Sequence, residues 1–161
     1  MSLSFRCAMD VISNPRNLDS SVDEVFHLMV GVRCRRSEEP GNPEVESVTA
    51  VVGFGGIFTG ACVLHCSATA ARAIAARLTG TIFASVDDTV KDAIGEICNM
   101  LAGTWKGRVP ELAAQCDLSV PAVITGRDYK LRVQAPEFTL RHSYRFDEVG
   151  FDVTILCDGL R

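Results

Sequence analysis

Residues 87–107, DDTVKDAIGEICNMLAGTWKG, decide the fold, because their apolar members recur at helical spacing along the whole stretch. These members form one stripe, consisting of Val90, Ile94, Ile97, Cys98, Leu101 and Trp105. The stripe predicts a long amphipathic helix that packs on a core. We expect this helix over about residues 86–107, with Ser85 as its N-cap, acidic residues in its first turn and Pro110 just beyond its end.

The face of this helix opposite the stripe has an unusual composition. Its band spans about 60° of the helical wheel, since residues three and four apart are neighbours. It contains Asp92, Glu96, Asn99 and Gly103. Asn and Gly inside a helix each cost roughly 0.5 to 1 kcal/mol relative to Ala, so a binding or catalytic surface would explain them. A simpler interpretation also fits, in which Gly95 and Gly103 admit a close neighbour while Glu96 and Asn99 are solvated.

Two shorter helices are expected ahead of the long one. The first starts with Ser20 as its N-cap and ends at Gly31. The second covers about residues 67–79, between a Ser67 cap and a stop at Gly80. The apolar face of the first helix consists of Val22, Val25, Phe26 and Met29. Both helices should therefore pack on the same core as the long one.

Strands are expected between these helices. A short strand should begin at Val32 and lead into a charged, proline-containing loop over residues 36–44. Apolar runs over about residues 48–54 and 57–66 then flank two glycines at 55–56. This arrangement is typical of a β-hairpin with a glycine turn.

The C-terminal third alternates apolar and polar residues with a period of two. The alternation covers residues 138–146 and 151–157, with a turn over residues 147–150, and so predicts an antiparallel hairpin. The element order is helix, strand, hairpin, helix, long helix, strands and hairpin. This order favours an α+β fold, with a mostly antiparallel sheet of about six strands and the long helices on one face.

A length of 161 residues suits one domain, which we expect to span residues 1–161 with an irregular segment over residues 1–17. The two halves share a pattern. Ser20, Glu24 and His27 repeat the spacing of Asp92, Glu96 and Asn99, which we call the trio. A three-residue match is a weak sign of an internal pseudo-repeat.

Composition narrows the possible partners. The net charge of −4 and the pI near 5.3 argue against nucleic acid. The most apolar stretch, residues 50–64, is glycine-rich and shorter than a membrane helix. The seven cysteines include no CxxC pair, and the first residues have no long apolar segment of a secretory signal. We therefore expect a cytoplasmic protein with reduced thiols, which binds neither nucleic acid nor membrane.

Other motifs carry less weight. The glycines at 53, 55 and 56 begin like a phosphate loop, but Phe58 breaks the GxGxxG pattern. The three histidines, His27, His65 and His142, lack the spacing of metal ligands and are expected to be structural or solvated. Cys62 and Cys66 are expected to be buried, inert thiols. No metal or cofactor of the chain's own is predicted.

The long helix resembles the signature helix of the CheX/CheC-type chemotaxis phosphatases, in which Asp or Ser is followed four residues on by Glu and three further by Asn. The trio matches all three positions. The glycine-rich run VVGFGGIFTGACVLHC and the alanine-rich run SATAARAIAARLTG also resemble this family. The resemblance covers most of residues 22–121.

Two details qualify this resemblance. The proline usual downstream of the family's Asn stands here as Pro121, one residue early. The first copy of the motif has His27 in the Asn position, so only one complete motif is present. The chain therefore resembles single-site CheX more than two-site CheC.

The resemblance implies a protein phosphatase that hydrolyses the aspartyl phosphate of a CheY-like response-regulator receiver. Asn99 would position the attacking water, and Glu96 would pair with a lysine of the receiver. Asp92, Gly103 and Lys106 would contact the same partner. Any Mg²⁺ would be carried by the receiver, and the resemblance also suggests a homodimer through sheet edges.

Two alternatives remain open from the sequence. The first is a catalytically silent relative that docks a receiver without hydrolysing anything, although the intact trio argues against it. The second is a zinc or thiol enzyme, for which the sequence offers no motif.

Overall fold

The computed structural model describes residues 9–40, 46–129 and 136–160. After a helical turn at residues 9–12, the described helices are α1 Pro15–Val25, α2 Ala68–Thr79, α3 Asp88–Gly107 and α4 Pro110–Ala113. A π-helical turn, Phe26–Val30, extends α1. The strands are β1 Arg35–Ser37, β2 Glu46–Gly56, β3 Phe58–Ser67, β4 Cys116–Leu118, β5 Ala122–Arg127, β6 Phe138–Phe146 and β7 Val149–Leu160.

The strands form one antiparallel sheet in the order β1-β6-β7-β3-β2-β4, and β5 also pairs with β2. This arrangement confirms the predicted α+β fold. The described part of the chain has seven strands rather than about six. The difference arises because β4 is only three residues long, too short to show an alternating pattern.

Helix α3 lies on one face of the sheet and holds the centre of the core. Every residue of its predicted apolar stripe is buried. The helix packs against β2 and β3, and it also contacts α1 and α2. At the C-terminal end of α3, the centroid of the Trp105 ring lies 5.4 Å from that of the Phe54 ring and 5.6 Å from that of the Phe58 ring. These contacts fix the rotation of α3, and its polar face therefore points away from the sheet.

The start of α3 differs from the prediction by two residues. Asp87 rather than Ser85 is the N-cap, because its Oδ1 accepts the backbone N–H of Val90 at 2.9 Å. Both residues can cap a helix, but a carboxylate also interacts favourably with the positive end of the helix dipole. The predicted end at Gly107 is confirmed.

The start of α1 was predicted wrongly. The helix begins at Pro15, and the Asn14 side chain caps it by accepting the N–H of Arg16 at 3.0 Å. Ser20 therefore lies inside the helix. The expectation of an irregular segment over residues 1–17 is wrong for residues 9–12 and 15–17, which are helical, while residues 1–8 lie outside the described part.

The other helix boundaries agree with the prediction. Gly31 ends the first helix with φ of 75°, and Gly80 ends α2 with φ of 73°. These are left-handed conformations that glycine adopts without strain. Ser67 caps α2, with its Oγ accepting the N–H of Ala70 at 3.1 Å.

The first strand begins later than expected. Residues 32–34 have no regular structure, and β1 begins at Arg35. Two residues of the predicted 36–44 loop therefore belong to β1, and residues 41–45 lie outside the described part.

Both predicted hairpins are present, but the predicted two-glycine turn of the first is wrong, because β2 and β3 are separated at Ile57, and the predicted 147–150 turn of the second is shorter. In the first, Gly55 and Gly56 belong to β2, where they face Asp117 and Cys116 of β4. In the second, β6 and β7 are joined at residues 147–148, so that Gly150 is already part of β7.

Candidate functional site

The trio lies together on the outer face of α3. Asp92 and Glu96 are exposed, and Asn99 is half-buried. Residues three and four apart on a helix have Cβ atoms roughly 5–6 Å apart, so Glu96 and Asn99 can reach a common partner atom. The rigid attachment of α3 to the sheet therefore presents a carboxylate and a carboxamide side by side.

The polar groups of these side chains do not contribute to holding the described fold together. Within residues 9–40, 46–129 and 136–160, the side chains of Asp92, Glu96 and Asn99 make no hydrogen bond or ion pair. Fold stability therefore does not explain an Asn in the middle of a helix. The site is left with one acceptor-only group and one group that both donates and accepts hydrogen bonds.

The two glycines that flank Asn99 face another part of the chain, the 118–123 segment. A Cβ on Gly95 would lie 3.2 Å from Val123 Cγ2 and 3.5 Å from Pro121 Cβ. A Cβ on Gly103 would lie 3.8 Å from Leu118 Cδ1. Gly95 therefore does admit a close neighbour, as the simpler interpretation of the sequence held, and the 118–123 segment lines the Asn99 side of the helix.

Ser119 fixes this segment to the sheet. Its Oγ accepts the backbone N–H of Gly53 at 2.8 Å, and its own N–H donates to the Gly53 carbonyl at 2.9 Å. The sequence did not predict that the 118–123 segment lines the site, although Pro121 was noted for its position downstream of Asn99. The usable signal was Gly95, because a buried glycine inside a helix indicates the close approach of another element.

Lys106 has an internal role. Its ammonium group donates to the backbone carbonyls of Ala113, at 3.4 Å, and Cys116, so it ties the end of α3 to α4 and β4. A lysine that satisfies two carbonyls would lose these hydrogen bonds on turning to a partner. Lys106 therefore differs from the trio, whose side chains make no hydrogen bond among the described residues.

The pseudo-repeat on α1 differs from the trio in its contacts. Glu24 accepts a hydrogen bond from the Arg108 guanidinium at 2.5 Å, and Arg108 Nε donates to Ser21 Oγ at 3.0 Å. His27 is exposed. Glu24 therefore joins α1 to the end of α3, whereas the side chain of Glu96 makes no hydrogen bond or ion pair with the described residues.

The other two histidines make hydrogen-bond contacts within the fold, and the thiol of Cys66 is buried. His65 Nδ1 lies 2.7 Å from Thr49 Oγ1, and burial lowers the pKa of this imidazole. His142 Nδ1 lies 2.9 Å from Asp19 Oδ1. Burial raises the pKa of the Cys66 thiol to about 12, so it stays protonated and unreactive.

Across the described residues, no three His, Cys, Asp or Glu side chains come together as metal ligands. None of the helices in that part of the chain is long and apolar enough to cross a membrane.

The fold of this chain is of the class seen in CheC-like proteins. Its structure matches that of a CheC-like superfamily protein from Shewanella sp. PV-4 with a TM-score of 0.76 and 18% identity, over 99% of this chain and 100% of that one. Within this class the chain belongs to the CheX family, because the family model described as chemotaxis phosphatase CheX matches residues 48–142. The matched region contains the whole trio and the 118–123 segment.

Two further relatives are informative. The CheY-P phosphatase CheX of Thermotoga maritima is 28% identical over 140 residues, which are 84% of this chain and 90% of the relative. The structure also resembles a chain of the CheX-CheY-BeF3-Mg²⁺ complex from Borrelia burgdorferi, with a TM-score of 0.67 and 21% identity, over 88% of this chain and 96% of that one. The recognised family agrees with the resemblance found in the sequence.

Proposed function

We propose that this protein is a phosphatase that hydrolyses the aspartyl phosphate of a CheY-like response-regulator receiver. One observation carries the proposal. In a chain of the chemotaxis phosphatase CheX family, Glu96 and Asn99 lie adjacent on the outer face of α3 and have no partner among the described residues.

Asn99 suits the chemistry that this reaction needs. An aspartyl phosphate is a mixed anhydride with a good leaving group, so hydrolysis requires an in-line water more than a protein nucleophile. A carboxamide can accept a hydrogen bond from that water and donate one to a phosphoryl oxygen, and it does not titrate. We assign Asn99 to positioning the attacking water.

Glu96 suits docking. In the family that this chain resembles, the equivalent Glu pairs with the lysine beside the receiver's phosphorylated Asp, and we assign the same role to Glu96. Such a pair would fix the distance between Asn99 and the phosphoryl group. The Mg²⁺ belongs to the receiver, because a single Glu beside an Asn is a poor magnesium site.

We define the docking surface as Asp92, Glu96, Asn99 and Gly103. These residues occupy one band along α3, and they end beside the 118–123 segment. Gly103 has no side chain, so a partner backbone can approach the helix closely at this point.

Replacing Gly103 with alanine is expected to have opposite effects on stability and activity. Its Cβ would have ordinary contacts, and Ala is favoured over Gly inside a helix, so the free energy of unfolding should rise by about 0.5–1 kcal/mol. The same Cβ would obstruct the docked receiver and raise its KM. Urea unfolding and dephosphorylation kinetics measure the two effects, and a stabilised variant with unchanged KM would remove Gly103 from the docking surface.

We also propose that the protein acts in the cytoplasm as a homodimer. The cysteines in the described part are all free, as a reducing compartment favours. Among the described strands, edge strand β5 has six residues, whereas the edge strand on the opposite side of the sheet, β1, has three residues and two arginines. Charged, short edges resist pairing, so the β5 edge is the better candidate for the dimer contact. Light scattering tests the dimer.

The proposed activity is tested by mixing the protein with CheY receivers charged with acetyl phosphate in the presence of Mg²⁺. The phosphorylated receiver should disappear faster than it does alone. Binding without faster loss would support the silent docking protein instead. In a second assay, a thiol-blocking reagent should leave the rate unchanged. A hydrogen bond with Cys98, together with burial, raises the pKa of the Cys62 thiol, and burial raises the pKa of the Cys66 thiol.

A further inference from the structure

Val120 is an exposed aliphatic side chain beside the docking surface. It is 87% exposed, whereas every apolar residue of the α3 stripe is buried. A single exposed aliphatic residue is normal on a protein surface and requires no explanation by itself. Its position in the chain is what distinguishes Val120.

The neighbours of Val120 place it next to the catalytic pair. On one side, Pro121 lies against Gly95, where an added Cβ would be 3.5 Å from Pro121 Cβ. Gly95 directly precedes Glu96 and lies one turn before Asn99, which is about 6 Å along the helix axis. Val120 is therefore at the border of the docking surface, on the side of Asn99.

The backbone around Val120 is held in place. Leu118 pairs with Phe54 of β2, and Ala122 pairs with Val51 of the same strand. Ser119 adds two hydrogen bonds to Gly53. Val120 thus lies in a short connection fixed to β2 at both ends. A side chain on such a fixed support loses little conformational entropy when it is buried in a complex.

We propose that Val120 is a specificity-determining docking residue that packs on an apolar part of the receiver bordering the phosphorylated Asp. This inference rests on the proposed function. The receiver is the occupant because the exposed valine is continuous with the surface that presents Glu96 and Asn99. An apolar anchor beside a polar pair matches the usual composition of interfaces, and its burial would also restrict bulk water around Asn99.

The test compares Val120→Ser with a matched control on the same strand region. Ile124 is 40% exposed, and since Val123 faces Gly95, its neighbour Ile124 points to the opposite face of the sheet. With a CheY receiver charged by acetyl phosphate, Val120→Ser should raise KM about 10-fold while kcat at saturating receiver stays within about two-fold. Ile124→Ser keeps the backbone hydrogen-bonding groups of the β5 edge and should leave KM unchanged, and Val120→Ile should keep KM at the wild-type value.

The outcomes separate this inference from the function on which it rests. If the wild-type protein accelerates dephosphorylation and Val120→Ser has the wild-type KM, the docking role of Val120 is wrong and the proposed function stands. An equal rise in KM for Ile124→Ser would also overturn it, since that result would reflect a change in the whole strand region. If the wild-type protein binds receivers without accelerating the reaction, the proposed function fails and this inference fails with it.

Discussion

Replacing Asn99 with alanine should reduce the rate of receiver dephosphorylation by about 100- to 1,000-fold, towards the receiver's own spontaneous rate. The reason is that the alanine side chain can neither accept a hydrogen bond from the water nor donate one to the phosphoryl group. Binding should be largely spared. A receiver loaded with BeF3⁻ and Mg²⁺ measures binding without hydrolysis, and its Kd should stay close to the wild-type value.

Protein stability provides the control for this variant. Asn99 makes no side-chain hydrogen bond among the described residues, and Ala has the higher helix propensity. The free energy of unfolding of Asn99→Ala should therefore rise by roughly 0.5 kcal/mol while activity is lost. Asn99→Gln keeps the carboxamide but displaces it by one methylene, and it should also lose most of the activity. Wild-type turnover by Asn99→Ala would refute the assigned role of Asn99.

Replacing Glu96 with alanine should weaken both binding and turnover. Removing one member of a docked charge pair costs about 2 kcal/mol or more, which corresponds to at least roughly 30-fold in Kd. The turnover rate at saturating receiver should also fall, because without the pair the phosphoryl group is less well aligned with Asn99. Titration with the BeF3⁻-loaded receiver and saturation kinetics measure the two effects separately.

Two further variants distinguish docking by charge from a general change of the surface. Glu96→Gln keeps the shape and a hydrogen-bonding group but removes the charge, so its affinity should fall and depend less on salt. Glu148 is an exposed acidic residue in the β6–β7 turn, and Glu148→Ala should leave the Kd unchanged. A Glu96→Ala protein with wild-type Kd would show that Glu96 does not anchor the receiver.

The orientation of the docking surface could be predicted because it depends on a long periodic pattern. The stripe from Val90 to Trp105 extends over most of α3, so an error of a few residues at either end does not change which face is buried. Helix starts were less certain, since Ser85 and Asp87 can each cap a helix, and only the hydrogen bond to Val90 distinguishes them. For α1, the Asn14 cap followed by Pro15 was a usable signal that the prediction overlooked.

The position of the 118–123 segment beside Asn99 could not be predicted from a periodic pattern. Pro121 and Val123 reach Gly95 only through the folded sheet, and no local periodicity records a contact between residues so far apart in the chain. Strand β5 has mostly exposed residues and hence no clear alternation. The exposed position of Val120 therefore became visible only in the structure.

The activity itself is tested most directly by the rate constant for loss of phosphate from a CheY receiver charged with [³²P]acetyl phosphate, measured against the concentration of this protein. We predict that the rate constant rises with protein concentration and saturates, as expected for catalysis through a docked complex. A rate constant that stays at the spontaneous value at every concentration, while the same receiver binds the protein, would contradict the account and identify a silent docking protein.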